Sequence, residues 1–400
     1  MVKVLVTVII ESMKFDDRAR DLNKQPLDTT DPAENTIGIN LPDIDLWRLP
    51  PEKIREFAKA LPKIELHRHL EGSLEPEDVA AIVSKFNIPL SAKTAEEIRP
   101  LIQLEPGSSS LIEFLEKFKT IGELFVSTEV IKEMAYLVGK RAAEDNVIYM
   151  ELRYSPVYMA ETAGLNPQDV IDAVLDGIKQ AEAETGIIIN SILIAERQRG
   201  LDHAWQVERL AEQYLGKGVV ALDLAHDEAN YPPHPYADVF QAAKRAGLKV
   251  TVHAGEAAGA ENVRAAVELL GADRIGHGVR AVEDPEVVKL LRDKQIPLEV
   301  CPTSNIQTGA AASFETHPLK KLMESGVLVT INSDDPAVSA ITLSDEFAAV
   351  IESHRMTFNG LSGLLTNALK SAFLSESRAE SVRARVFEEL GTLCLDQKQN

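Results

Sequence analysis

The sequence is short of thiols: cysteine occurs only as Cys301 and Cys394 among 400 residues. Two cysteines exclude a disulfide-stapled scaffold and any zinc site built from three or four thiolates, so a metal would have to take histidine and carboxylate ligands. Positive charge is scarce as well, with 42 Lys and Arg against 62 Asp and Glu and a formal net charge of −20. A nucleic-acid binder needs a basic face, so nucleic acid is excluded as an expected partner. Long apolar runs are missing: the best candidate, Val4 to Ile10, falls far short of the ~18 residues that a membrane span requires. No small-residue cleavage site follows Ile10, and the expectation is a cytoplasmic protein without membrane association. What is present, 45% apolar and 26% charged residues, is the composition of an ordinary globular protein.

Residues 1–47 carry clusters such as Thr29-Thr30-Asp31-Pro32 without sustained periodicity and read as an irregular extension. Residues 48–400 read as one domain. Within it eight β-rich runs alternate with helical patterns: Lys63 to His69, Val147 to Tyr154, Ile187 to Ala195, Val219 to Ala225, Lys249 to His253, Arg274 to His277, Pro297 to Cys301, and Leu328 to Asn332. Helix-length segments such as Pro167 to Thr185, Trp205 to Leu215, Tyr236 to Ala246 and Glu261 to Gly271 separate them, several ending at a glycine. Eight such units predict an α/β fold, a (β/α)8 TIM barrel, with a doubly wound open sheet as the alternative. The long connection from His69 to Asn146, containing a helical pattern over Leu111 to Phe125, predicts a helical insertion after strand 1 that either lids the catalytic end or packs on the outside. Beyond Leu343 the pattern predicts additional C-terminal helices, Arg378 to Leu395 being the clearest.

Polar and ionisable residues recur where the strand runs end, and in a barrel those ends form the active-site face. Strand 1 ends in His67-Arg68-His69, and the period of two points both imidazoles the same way. Strand 5 leads into His253-Ala254-Gly255-Glu256, strand 6 ends at His277, and strand 8 leads into Asp334-Asp335-Pro336. Singly, each has a structural explanation: His277 as a turn cap, Asp335 as a helix N-cap, Glu256 as a solvated carboxylate. Four of nine histidines at strand ends are hard to explain that way. Three histidines and an aspartate suit Zn²⁺, which brings the pKa of bound water to roughly 7. A fourth histidine and a glutamate beside it suggest hydrolysis with proton transfer in both directions. The residues by themselves do not name the bond.

The motifs resemble those of the adenosine deaminase family of the amidohydrolase superfamily. The resemblance rests on Pro62-Lys63-Ile64-Glu65-Leu66-His67-Arg68-His69-Leu70-Glu71-Gly72-Ser73, Val252-His253-Ala254-Gly255-Glu256, Arg274-Ile275-Gly276-His277-Gly278, Glu299-Val300-Cys301-Pro302-Thr303-Ser304-Asn305 and Ile331-Asn332-Ser333-Asp334-Asp335-Pro336. It implies hydrolysis of adenosine or 2′-deoxyadenosine, both small purine nucleosides, to the inosine product and ammonia. It further implies one Zn²⁺ per chain held by His67, His69, His253 and Asp334. By the same carry-over Glu256 protonates purine N1, His277 orients and deprotonates the zinc-bound water, and Asp335 hydrogen-bonds that water or N7. Glu71 occupies the position of a ribose-binding acid, with Gly72 beside it. A relative acting on adenine or an N6-modified purine is the enzymatic alternative, though Gln307-Thr308-Gly309-Ala310 looks more like nucleoside deaminases. A non-catalytic purine-binding barrel is the remote one.

One departure stands out. In Leu222-Asp223-Leu224-Ala225-His226-Asp227-Glu228 the family usually has a glycine where this chain has His226, and the glycine N–H contacts purine N3. His226 either points outward without effect or extends the sugar side of the pocket.

Overall fold

The computed structural model describes residues 45–105 and 111–395. Most of the expected 1–47 extension, including the Val4 to Ile10 run, lies outside the described residues; Leu46, near its end, is buried in the main core.

Eight parallel strands follow one another around the sheet in chain order. They are β1 Lys63–His69, β2 Val147–Tyr154, β3 Ile188–Glu196, β4 Val219–Ala225, β5 Lys249–Ala254, β6 Arg274–His277, β7 Leu298–Val300 and β8 Val329–Ile331. Each expected strand is found within a residue or two, the usual uncertainty of strand ends. The expected barrel is therefore observed, and the open-sheet alternative is not. Between β8 and β1 the N–H of His69 reaches the carbonyl of Asp334 at 2.9 Å, and the N–H of Asp334 reaches that of His67 at 2.9 Å. The seam of the barrel is thus pinned at the residues that carry the site.

Strands covered on both faces read as near-continuous apolar runs because no face meets water. The covering helices are amphipathic, and the tightest pair, Thr128–Glu144 against Pro167–Thr185, meets through glycine. A Cβ on Gly177 would lie 2.3 Å from the Lys132 carbonyl oxygen, so a larger residue would force the helices apart.

The insertion after β1 is helical, as expected, but Leu111 to Phe125 is not one helix. The Lys117 N–H bonds to the Phe114 carbonyl, a tight turn that interrupts the i→i−4 ladder, giving Leu111–Glu116 and Phe118–Gly122. The break lets Phe114 pack with Leu104 and Val338, with Phe118 alongside, in a small cluster separate from the main core. Val338 lies three residues after Asp335, so the insertion is anchored beside the catalytic end. The C-terminal helices are Leu343–Ser353, Phe358–Ser371 and Glu376–Leu395. Among the described residues no helix is long and apolar enough to cross a membrane.

Candidate active site

The strands end in kinks that turn side chains into one cleft. His226, His277 and Asp334 have φ of 75°, 60° and 62°. A non-glycine residue held in the left-handed region costs on the order of 1–2 kcal/mol, and such strain concentrates at functional sites. The ring centroids of His67 and His253 are 4.6 Å apart, those of His67 and His277 4.8 Å, and those of His67 and His69 5.3 Å. The period-two reading of His67 and His69 holds, and Arg68 points away to donate to Ser73 Oγ. Asp334 Oδ1 lies 3.2 Å from His67 Nε2 and 3.3 Å from His69 Nε2.

This donor set fits a divalent metal ion. Among the described residues the ligand atoms of His67, His253, His277 and Asp334 lie within 4.8 Å of one another, and those of His69, Asp334 and Asp335 form a second such group. His67 Nε2 is buried and makes no hydrogen bond although Asp334 Oδ1 lies 3.2 Å away, and with Nδ1 turned to Glu299 these two facing acceptors are what a cation between them would satisfy.

Behind the rings lies a buried charge network that sequence reasoning did not assign. His67 Nδ1 is 2.8 Å from Glu299 Oε2, and His253 Nδ1 is 3.1 Å from Asp223 Oδ1. Carboxylates in this position fix the ring orientation and leave Nε2 free to bind metal. Arg153 donates to Asp223 Oδ2 and to Glu299 Oε2, both at 2.8 Å, and to the Leu66 carbonyl at 2.7 Å. Arg274 Nε donates to Glu299 Oε1 at 2.6 Å, and Thr251 Oγ1 to the same oxygen at 3.0 Å. Burial alone would push the Glu299 carboxyl up; the guanidiniums of Arg153 and Arg274 instead hold it well below the usual range. The available signal was a set of charged residues inside otherwise apolar strand runs. Replacing Asp223 by Asn should lower metal affinity about 10- to 100-fold, read out by competition with a chromogenic chelator; unchanged affinity would show that Asp223 does not tune His253.

The groups suited to proton transfer lie beside these rings. Glu256 Oε1 accepts from Thr308 Oγ1 at 2.9 Å, and Oε2 lies 3.4 Å from His277 Nε2. Burial raises the Glu256 carboxyl above its ordinary range, with His277 acting against it. The loop bearing Glu256 is clamped by Glu228, which accepts the N–H groups of Gly255, Glu256, Ala257 and Ala258 at 2.7, 3.1, 2.9 and 3.0 Å. His277 Nδ1 is 3.0 Å from Asn305 Nδ2, and Asn305 Oδ1 is 3.3 Å from His317 Nε2. Asp335 is buried, and burial together with neighbouring Asp334, Glu71 and Glu256 pushes its carboxyl well up. A Cβ on Gly72 would stand 1.8 Å from Asp335 Oδ1, so glycine is what lets this acid approach. Glu71 Oε1 accepts from the Ser155 N–H at 3.0 Å, and its Oε2 is buried without a partner; burial raises this carboxyl to about 7.

His226 turns its ring toward the end of β3, where Nε2 is 3.4 Å from Glu196 Oε1. Its side chain is 39% exposed, and desolvation of the ring pushes its pKa down to about 4. The structure thus brings every residue singled out from the sequence to one end of the barrel.

A parallel eight-stranded barrel with a buried histidine and aspartate centre able to hold a metal, flanked by acids and a further histidine, defines a barrel hydrolase. The chain belongs to the adenosine deaminase family, whose profile matches residues 62–389. It is 38% identical over 333 residues to the adenosine deaminase of Clostridium botulinum, covering 83% of this chain and 99% of that one. Among solved structures it is similar to an adenine deaminase from Arthrobacter aurescens, with TM-score 0.74 and 28% identity over 82% of this chain and 98% of that one. It is also similar to the N6-methyl-AMP deaminase of Arabidopsis thaliana, with TM-score 0.73 and 25% identity over 84% of this chain and 98% of that one.

Proposed function

We propose that this chain hydrolyses the 6-amino group of adenosine and 2′-deoxyadenosine, releasing inosine or 2′-deoxyinosine and ammonia. The observation that carries this reading is the gathering of His67, His253, His277 and Asp334 at one point, with His69 and Asp335 grouped on the same Asp334 and Glu256 against His277, in a chain of the adenosine deaminase family.

His67, His69, His253 and Asp334 would hold one Zn²⁺. His67 and His253 each back onto a carboxylate through Nδ1, whereas His277 backs onto the neutral amide of Asn305 and turns Nε2 toward Glu256. That difference supports a ligand role for the first two and a proton-transfer role for His277. When bound, the ion supplies Lewis acidity that makes water a nucleophile near neutral pH.

The protein groups do the rest. Glu256, whose carboxyl burial pushes toward the protonated form, gives its proton to purine N1, and this makes C6 electrophilic. His277 orients the attacking water and accepts its proton at Nε2, a role that requires Nδ1 to carry the ring hydrogen and give it to the side-chain amide oxygen of Asn305, with that amide turned about. Asp335 hydrogen-bonds the water or N7. As the C6–N bond breaks, the proton held by His277 leaves with the amine as ammonia, and the new hydroxyl at C6 returns a proton to Glu256. Glu71 Oε2, an acceptor lacking a partner, suits a sugar hydroxyl, and Gly72 keeps the path beside Asp335 clear.

The test is ammonia release from adenosine, 2′-deoxyadenosine, adenine, N6-methyladenosine and adenosine 5′-phosphate. Both nucleosides should be turned over, with activity lost to a chelator and restored by Zn²⁺. Preference for adenine or an N6-substituted purine would overturn the substrate assignment, and full activity in metal-free protein would overturn the zinc.

A further inference from the structure

The residues assigned to metal binding and proton transfer come from the ends of β1, β5, β6 and β8. The rim over β3 and β4 carries a different pair that no step of the proposed chemistry uses. Glu196, the last residue of β3, is 3% exposed. Its Oε2 lies 3.3 Å from Arg199 Nε and 3.8 Å from His203 Nε2, and its backbone N–H donates to His203 Nε2 at 3.2 Å. Its Oε1 faces His226 Nε2 at 3.4 Å.

His226 follows β4 directly and keeps the left-handed backbone of 75° that a glycine would adopt freely. His277 and Asp334, which share this conformation, both serve the centre. A strained non-glycine backbone persists where the surrounding structure fixes it, and here the fixing contact available to the ring is Glu196. With Nε2 facing Glu196, no described residue bonds Nδ1, and the side chain is 39% exposed.

In the proposed function the purine presents N1 to Glu256 and N7 to Asp335, both on the β5 to β8 half. The remainder of the substrate therefore projects over the other half of the rim, toward Glu71, Glu196 and His226. We infer that His226, held by Glu196, reads the sugar of the nucleoside through a hydrogen bond between Nδ1 and a sugar hydroxyl. Glu196 is then a positioning residue that acts through His226. A hydroxyl both donates and accepts, so it satisfies Nδ1 in either tautomer of the ring. This inference rests on the proposed nucleoside activity and sharpens it.

The experiment measures kcat/KM of the zinc-loaded full chain for adenosine and its 2′-, 3′- and 5′-deoxy analogues, in wild type, His226→Gly, Glu196→Ala and Glu196→Gln. His226→Gly should lose roughly two- to tenfold toward adenosine, the size of one neutral hydrogen bond. The loss should fall mainly on KM and vanish for the one analogue that lacks the contacted hydroxyl. Glu196→Ala should lose as much, and Glu196→Gln, which keeps an acceptor toward Nε2, should recover most of it. Because glycine relieves the backbone strain, His226→Gly should melt no lower than wild type, which keeps the result clear of misfolding. Equal losses on all four nucleosides, or none on any, would overturn the inference while leaving the activity standing. A wild-type enzyme inactive on all four would overturn the activity and the inference together.

Discussion

Glu256→Gln should lower kcat/KM for adenosine by about 10²- to 10⁴-fold, the range for loss of a positioned general acid, with zinc content and thermal stability unchanged. The substitution preserves volume and the contact with Thr308 Oγ1, and Glu228 continues to clamp the loop, so the geometry survives. What disappears is a transferable proton. A carboxyl can play this part at neutral pH only if its pKa is raised, and burial raises that of Glu256. The sign follows: activity requires the protonated form, so the contribution of Glu256 to kcat/KM is full on the acid side of its raised pKa and is lost as pH rises through it. An ordinary exposed glutamate would have lost its proton above roughly pH 5. The measurement is a pH profile of both enzymes with metal analysis of each. In Glu256→Gln the alkaline decline belonging to Glu256 should be missing; near wild-type turnover with folding intact would remove Glu256 from the mechanism.

The barrel was legible in the sequence because strands buried on both faces leave uninterrupted apolar runs, and those runs could be counted. The His67, His253, His277 and Asp334 positions were legible because ionisable residues break the apolar pattern where each strand ends. The layer behind them was not. Arg153, Asp223 and Glu299 sit on β2, β4 and β7, and only barrel closure makes them neighbours. Their sole trace is the presence of charge inside strand runs, which says that a partner exists without saying which. Glu228 and Asn305 were visible as residues of motifs, but their tasks depend on backbone N–H directions and ring orientation that spacing does not encode. The direction of His226 depended on its backbone φ and on Glu196, a residue 30 positions earlier that no local pattern links to it.

That hidden layer carries the second large effect. Arg153→Met should destabilise the protein by about 3–5 kcal/mol, the cost of leaving buried charge without its partner, and should weaken zinc binding as well. Arg153 is fully buried and spans the two carboxylates that orient His67 and His253. Removing it leaves Glu299 with Arg274, but leaves Asp223 with only the His253 ring. Methionine fills much of the volume, so the loss reports charge rather than a cavity. The pH dependence tells the two apart. In wild type the depressed Glu299 pKa contributes stability that is fully present above the unfolded value, roughly 4.5, and is lost as pH falls toward the folded value. In Arg153→Met that depression shrinks, so the gap between variant and wild type should be full at pH 7 and should narrow below about pH 4.5. Urea unfolding at both pH values, in metal-loaded and chelated protein, measures it. The double variant Arg153→Met/Asp223→Asn removes the stranded charge and should recover part of the loss, a non-additivity expected of residues in one network. A gap that stays constant with pH, or losses that simply add, would mean that Arg153 serves packing and does not balance the charges behind the site.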